Sequence, residues 1–119
     1  MERVVLNLFE VSTNIKIYHW KTTVYSEHIA CDELYNKLVA TMDRIAEVYL
    51  GKVVTRFNIT NSDVLRIANL NNGQDVKYYI QHFINYFEAV DLSKYSDLNN
   101  IRDESLADCN RFIYLLSLK

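Results

Sequence analysis

No proline occurs anywhere in the chain, and glycine occurs only twice in 119 residues, at Gly51 and Gly73. A sequence with so little to interrupt a helix argues against turn-rich β architectures and for long helices. Cysteine is nearly as scarce. Cys31 and Cys109 lie far apart with no C-x-x-C spacing. They form no thiolate zinc motif and read as reduced thiols of an intracellular protein, with a single disulfide between them as the alternative. Lysine and arginine never gather into a run, and the formal net charge is −2. The basic footprint of a nucleic-acid binder is therefore missing. No apolar stretch approaches the roughly 20 residues of a membrane span. The opening "MERVVLNLFEVSTNIKIYHW" alternates apolar and polar residues and lacks the unbroken core of a signal peptide. The expectation is a soluble cytoplasmic protein with neither membrane nor nucleic acid as partner.

Half of the residues are apolar, enough for one domain over 1–119 with a core of its own. Helical periodicity marks four segments. The first runs from about Arg3 to Lys21, with Val4, Val5, Leu8, Val11, Ile15 and Tyr18 at helical spacing. The second runs from about Glu27 to Leu50, with Ser26 as its N-cap and Gly51 as a left-handed C-terminal cap. The third, about 75–90, carries Val76, Tyr79, Ile80, Phe83, Ile84 and Phe87 in an i, i+3, i+4 stripe. The fourth, about 98–117, carries Leu98, Ile101, Cys109, Phe112 and Leu116 on one side. "NLNNGQ", around Gly73, is the clearest loop, and Ser62–Leu70 reads as a short accessory helix in the crossover. The fold class is all-α, a four-helix bundle with a short helix between helices 2 and 3.

The second helix also carries a polar constellation. With His28 at zero and about 100° per residue, Asp32 falls near 40°, Asp43 near 60° and Glu47 near 100°. Leu34, Leu38, Met42, Ile45 and Tyr49 occupy a neighbouring stripe that faces the core. The polar stripe thus flanks the core, where a second subunit could pack. His28/Asp32 and Asp43/Glu47 lie about 15 residues apart, roughly 22 Å along the axis, so one ion cannot touch both pairs on one helix. Two copies packed antiparallel about a two-fold axis near residues 37–38 would bring the unlike pairs together, making two equivalent sites. His19 joins them if the turn between the first two helices folds back. Imidazoles with several carboxylates suit a first-row divalent metal such as iron, manganese or zinc. A solvated charged face is the plainer reading, in which His19 caps a helix end and Trp20, Tyr25 and Tyr35 are core or interface packing.

Taken whole, "YHW…SEHIACDELYNKLVATMDRIAEVYLG" resembles the signature of the Dps miniferritins, ferritin-like proteins that oxidise iron between subunits. The pattern is His-Trp, then His28-x3-Asp32-x10-Asp43-x3-Glu47 without a gap. The likeness is specific over about residues 18–51 and weaker in "DESLADCNRFIYLL". It implies a ferritin-like bundle with His19, His28 and Asp32 as metal ligands from one subunit, and Asp43 and Glu47 from its two-fold mate. Trp20 would lie beside the site. The chain departs from the family in a turn about three residues shorter, in clipped helices and in lacking a lysine-rich DNA-binding extension.

The resemblance implies a ferroxidase that oxidises Fe(II) with hydrogen peroxide or dioxygen at an inter-subunit diiron site, for iron detoxification or storage. Zinc or manganese could substitute for the iron. Its partners would be itself, as a homodimer across helix 2 or a dodecamer, together with iron and the oxidant. The Asn-, Tyr- and Ile-rich composition suits an AT-rich genome such as a phage's, which would place the protein in host cytoplasm or virion. The alternative is a non-enzymatic structural or interaction protein, for example a virion or scaffold component, with a vestigial or structural metal site.

Overall fold

Four helices carry the chain in a computed structural model that describes residues 1–118, and among these residues there is no strand. Lys119, the last residue of the expected domain, lies outside the described residues. The helices are α1 (Glu2–Lys21), α2 (Tyr25–Lys52), α3 (Gly73–Glu88) and α4 (Ser96–Leu116). Among the described residues no helix is long and apolar enough to cross a membrane. The expected apolar stripes form the core. Leu8 and Ile15 of α1 are fully buried, as are Leu38 and Ile45 of α2, Ile80 and Phe87 of α3, and Leu98 of α4. Each such side chain contributes about 1.5–3 kcal/mol by leaving water. Cys31 and Cys109 are buried free thiols.

The α1–α2 connection is only Thr22–Val24, and its shortness alters the expected helix ends. The Thr22 hydroxyl accepts from the Val24 amide at 3.1 Å and donates to Glu27 Oε1 at 2.7 Å. With that turn closed early, α2 starts at Tyr25 and Ser26 lies inside it instead of capping it. Gly51 is likewise inside α2, which ends by turning extended at Val53; no glycine has a positive φ. Gly73 is not in a loop but opens α3, behind Asn72, whose side chain accepts from the Asp75 amide at 2.9 Å. A Cβ at Gly73 would meet Glu27 Oε2, so a side chain here would have to displace the end of Glu27.

The crossover, residues 53–72, contains no helix. The short helix expected over Ser62–Leu70 is absent because its apolar residues have no face to cover. Val64 and Ile67 are exposed, and only Leu70 is buried. Its backbone is instead taken up by polar side chains of α1. Glu2 accepts from the Asn58 amide at 2.8 Å, Glu10 from Arg66 at 2.7 Å and Asn14 from Ala68 at 2.8 Å. Lys21 then donates to Asn71 Oδ1 at 2.8 Å. The segment therefore runs beside α1 and in the same direction, delivering α3 to the end of the bundle where α1 stops.

Helices α2 and α3 consequently run one way and α1 and α4 the other. A row of ion pairs sets α4 antiparallel to α2: Arg111 with Glu33, Asp108 with Lys37 at 3.5 Å, Glu104 with Arg44 at 3.7 Å, and Asp97 with Lys52 at 2.9 Å. Partly exposed pairs add little stability, but a row of four discriminates between registers. At the other seam Arg102 of α4, buried to 8 % exposure, closes the end of α3. Its Nη1 donates to the Phe87 carbonyl at 2.9 Å and to that of Val90 at 2.7 Å. The last carbonyls of a helix have no partner of their own, and here an interior guanidinium serves them.

Replacing Arg102 with Ala should cost about 2–4 kcal/mol, because the orphaned carbonyls stay buried. A urea midpoint equal to that of the unchanged chain would refute this role. Burial, first among the causes, pushes Tyr18, Tyr79, Cys31 and Cys109 each up to about 12. A raised acid favours the folded state while it stays protonated. That stability is full below about pH 9, where unfolded thiols begin to ionise, and is lost as pH rises towards 12. The melting temperature, followed by circular dichroism, should fall steadily above pH 9; a flat profile to pH 11 would contradict the burial of these groups.

Candidate metal centre

The three-residue turn brings the last turn of α1 against the first turn of α2, and so His19 against His28. Their rings stack with centroids 3.8 Å apart and planes 17° from parallel. Each ring also bonds the other residue's backbone. His19 Nδ1 donates to the His28 carbonyl at 2.7 Å, and His28 Nδ1 donates to the His19 carbonyl at 2.8 Å. The His19 carbonyl belongs to the open end of α1, where an acceptor needs a partner from elsewhere. A neutral imidazole whose Nδ1 faces a carbonyl must carry its hydrogen there, which leaves the lone pair on Nε2. Both rings are thereby fixed in the tautomer and orientation that metal-binding histidines take when a carbonyl holds the other nitrogen.

Asp32 lies one turn beyond His28. Its Oδ1 accepts from Lys16 Nζ at 2.9 Å, with the carboxylate side chain about half exposed. That hydrogen bond first, then the charge of Lys16, holds the Asp32 carboxyl below the usual carboxylate range. Lys16 also sits over the Tyr35 ring, 4.8 Å from its centroid. Behind the histidines, Glu27 Oε1 accepts from Tyr18 Oη at 2.7 Å as well as from Thr22. Glu27 therefore ties the start of α2 to α1 and the turn. Outside, Tyr25 lies 6.2 Å from the His28 ring, and a shallow hollow of about 280 Å³ opens between Thr22, Val24, Tyr25 and His28.

The structure thus gathers His19, His28 and Asp32 at one end of α2. Asp43 and Glu47 lie towards the other end, both exposed and outside every ion pair among the described residues. Within one chain, no three His, Cys, Asp or Glu side chains among the described residues group closely enough to hold a metal ion. Trp20 and Tyr25, read from sequence as core or interface packing, are 69 % and 76 % exposed, so the core of this chain does not take them. Tyr35 is half-buried. Sequence reasoning missed Lys16 as the partner of Asp32. The available signal was its position three residues before His19, on the same face of α1.

No curated protein and no solved structure matches the chain. A family pattern does match, over residues 19–116, and the chain belongs to that family of unknown function, DUF5856.

Nitrogen-15 NMR should show Nδ1 of both His19 and His28 carrying its hydrogen; a pyridine-type Nδ1 on either ring would contradict the reciprocal bonding.

Proposed function

We propose that this DUF5856 chain is a ferritin-like, Dps-type ferroxidase. It would oxidise Fe(II) at a dinuclear site shared by two copies, for iron detoxification, or for storage if the copies close into a cage. The observation that carries this reading is the His19–His28 pair, whose Nδ1 atoms are both spent on carbonyls so that both Nε2 lone pairs are free beside Asp32. Helix directions add support: a single long crossover in a four-helix bundle, with α2 and α3 parallel, is the ferritin-like arrangement. The donor set also fits. Two imidazoles and three carboxylates offer nitrogen and oxygen ligands of the kind that take first-row divalent metals.

In this reading ferrous ions are the substrate, each giving one electron to hydrogen peroxide or dioxygen. His19 and His28 provide imidazole donors whose rings the hairpin already holds through Nδ1. Asp32 must exchange its Lys16 partner for metal. Asp43 and Glu47 of a second copy bring further negative charge, which favours the ferric product over the ferrous substrate. Zinc and manganese would bind the same donors without the oxidation. A second reading rests on the same bonds seen differently. Because the reciprocal histidine–carbonyl bonds close the α1–α2 hairpin without any metal, the pair also suits a purely structural protein, such as a virion or scaffold component.

Anaerobic titration with Fe(II), followed by a pulse of hydrogen peroxide, separates the two readings. The ferroxidase binds two irons per chain and oxidises them faster than buffer does. Asp43→Ala, at an exposed position that leaves the fold intact, lowers that rate about tenfold or more. Oxidation at the buffer rate, unaffected by Asp43, would leave the structural reading.

A further inference from the structure

Given the shared site proposed above, we infer that two copies join across α2 only when a divalent cation enters between them, so that the free chain is a monomer and the metal is the switch for assembly. The face concerned can be read along α2. Tyr25, Ile29, Asn36, Ala40, Asp43, Glu47 and Gly51 are exposed at helical spacing, with Asp32 half-exposed in the same row. Pairing His28 with Glu47 and Asp32 with Asp43 of a second copy fixes one antiparallel register, centred between Lys37 and Leu38. Small Asn36 and Ala40 then lie at the crossing, where the two backbones come nearest. The ends fall into place by the same symmetry. Val24 and Tyr25, both exposed, come opposite Gly51 and Leu50 of the other copy; Trp20 at the end of α1 and Val54 just past α2 are also exposed, Val54 to 97 %. Nothing among the described residues covers these apolar groups, and a second copy in this register would.

Charge opposes the same contact. Each site would enclose Asp32, Asp43 and Glu47, with only Lys16 as a fixed cation, since the neighbouring Arg44 is turned to Glu104. Three carboxylates and one ammonium leave two negative charges out of water at each of two sites, an arrangement that is costly without a counter-ion. The apolar groups at the ends are too few to override it. One divalent cation per site cancels the excess, and the stacked histidines offer it nitrogen ligands. Binding of the metal and association of the copies are then a single linked equilibrium.

The test uses the whole chain and zinc, which binds without redox chemistry. Sedimentation velocity at low-micromolar protein should give a monomer in excess EDTA, at least a doubling of mass on addition of Zn²⁺, and reversal by EDTA. The double variant Asp43→Asn with Glu47→Gln, both exposed positions, should dimerise more than the unchanged chain in EDTA and lose its response to zinc. A variant as monomeric as the unchanged chain in EDTA would overturn the inference, since carboxylate repulsion would not be what holds the copies apart. A dimer already present in EDTA, which binds zinc in an Asp43-dependent way, would also overturn it but leave the shared site standing. A monomer that stays monomeric while binding zinc independently of Asp43 would remove both.

Discussion

The three-residue connection between α1 and α2 constrains most of the molecule. A longer turn would let the helix ends splay, whereas Thr22–Val24 forces His19 onto His28 and Glu27 back towards Tyr18. Once these contacts are made, the open carbonyl of His19 at the end of α1 has a side-chain partner, and the end of Glu27 lies close to Gly73 at the start of α3. The turn is therefore both the hinge pin of the fold and the holder of its most chemically suggestive pair. The same hydrogen bonds close the hairpin and fix the orientation of both imidazole rings.

The remaining helices are placed by polar groups at seams more than by the core itself. The core is built of interchangeable aliphatic and aromatic side chains, which reward burial without choosing a register. Register comes from the ion-pair row between α2 and α4 and from Arg102 reaching across to the end of α3. These contacts leave the outer face of α2 without cover from the rest of the chain. That is where the carboxylates of the sequence motif lie.

How much of this was legible in the sequence depends on how local the cause was. The buried stripes were legible because a 3.6-residue period is written within each helix, and Val4 to Tyr18 and Val76 to Phe87 fell where spacing put them. Helix ends were less so. Ser26 and Gly51 look like caps, but the turn geometry ended the helices elsewhere. The crossover could not be read at all, because the groups that hold its backbone extended, Glu2, Glu10 and Asn14, lie more than fifty residues away. At the site, spacing along α2 was enough to single out His28, Asp32, Asp43 and Glu47. It could not reveal that His19 and His28 grip each other's backbones or that Lys16 occupies Asp32, since both follow from the pairing of α1 with α2.

The crossover is held through its main chain. Its amides are anchored to α1, while Val54, Val64 and Ile67 point outward and touch little. Such a strap places few demands on its own side chains and strict ones on the helix beneath it. Over evolutionary time its residues should drift freely in identity, provided none breaks the extended path. Half-buried Glu2 and Glu10 and fully buried Asn14 of α1 would be the ones held fixed.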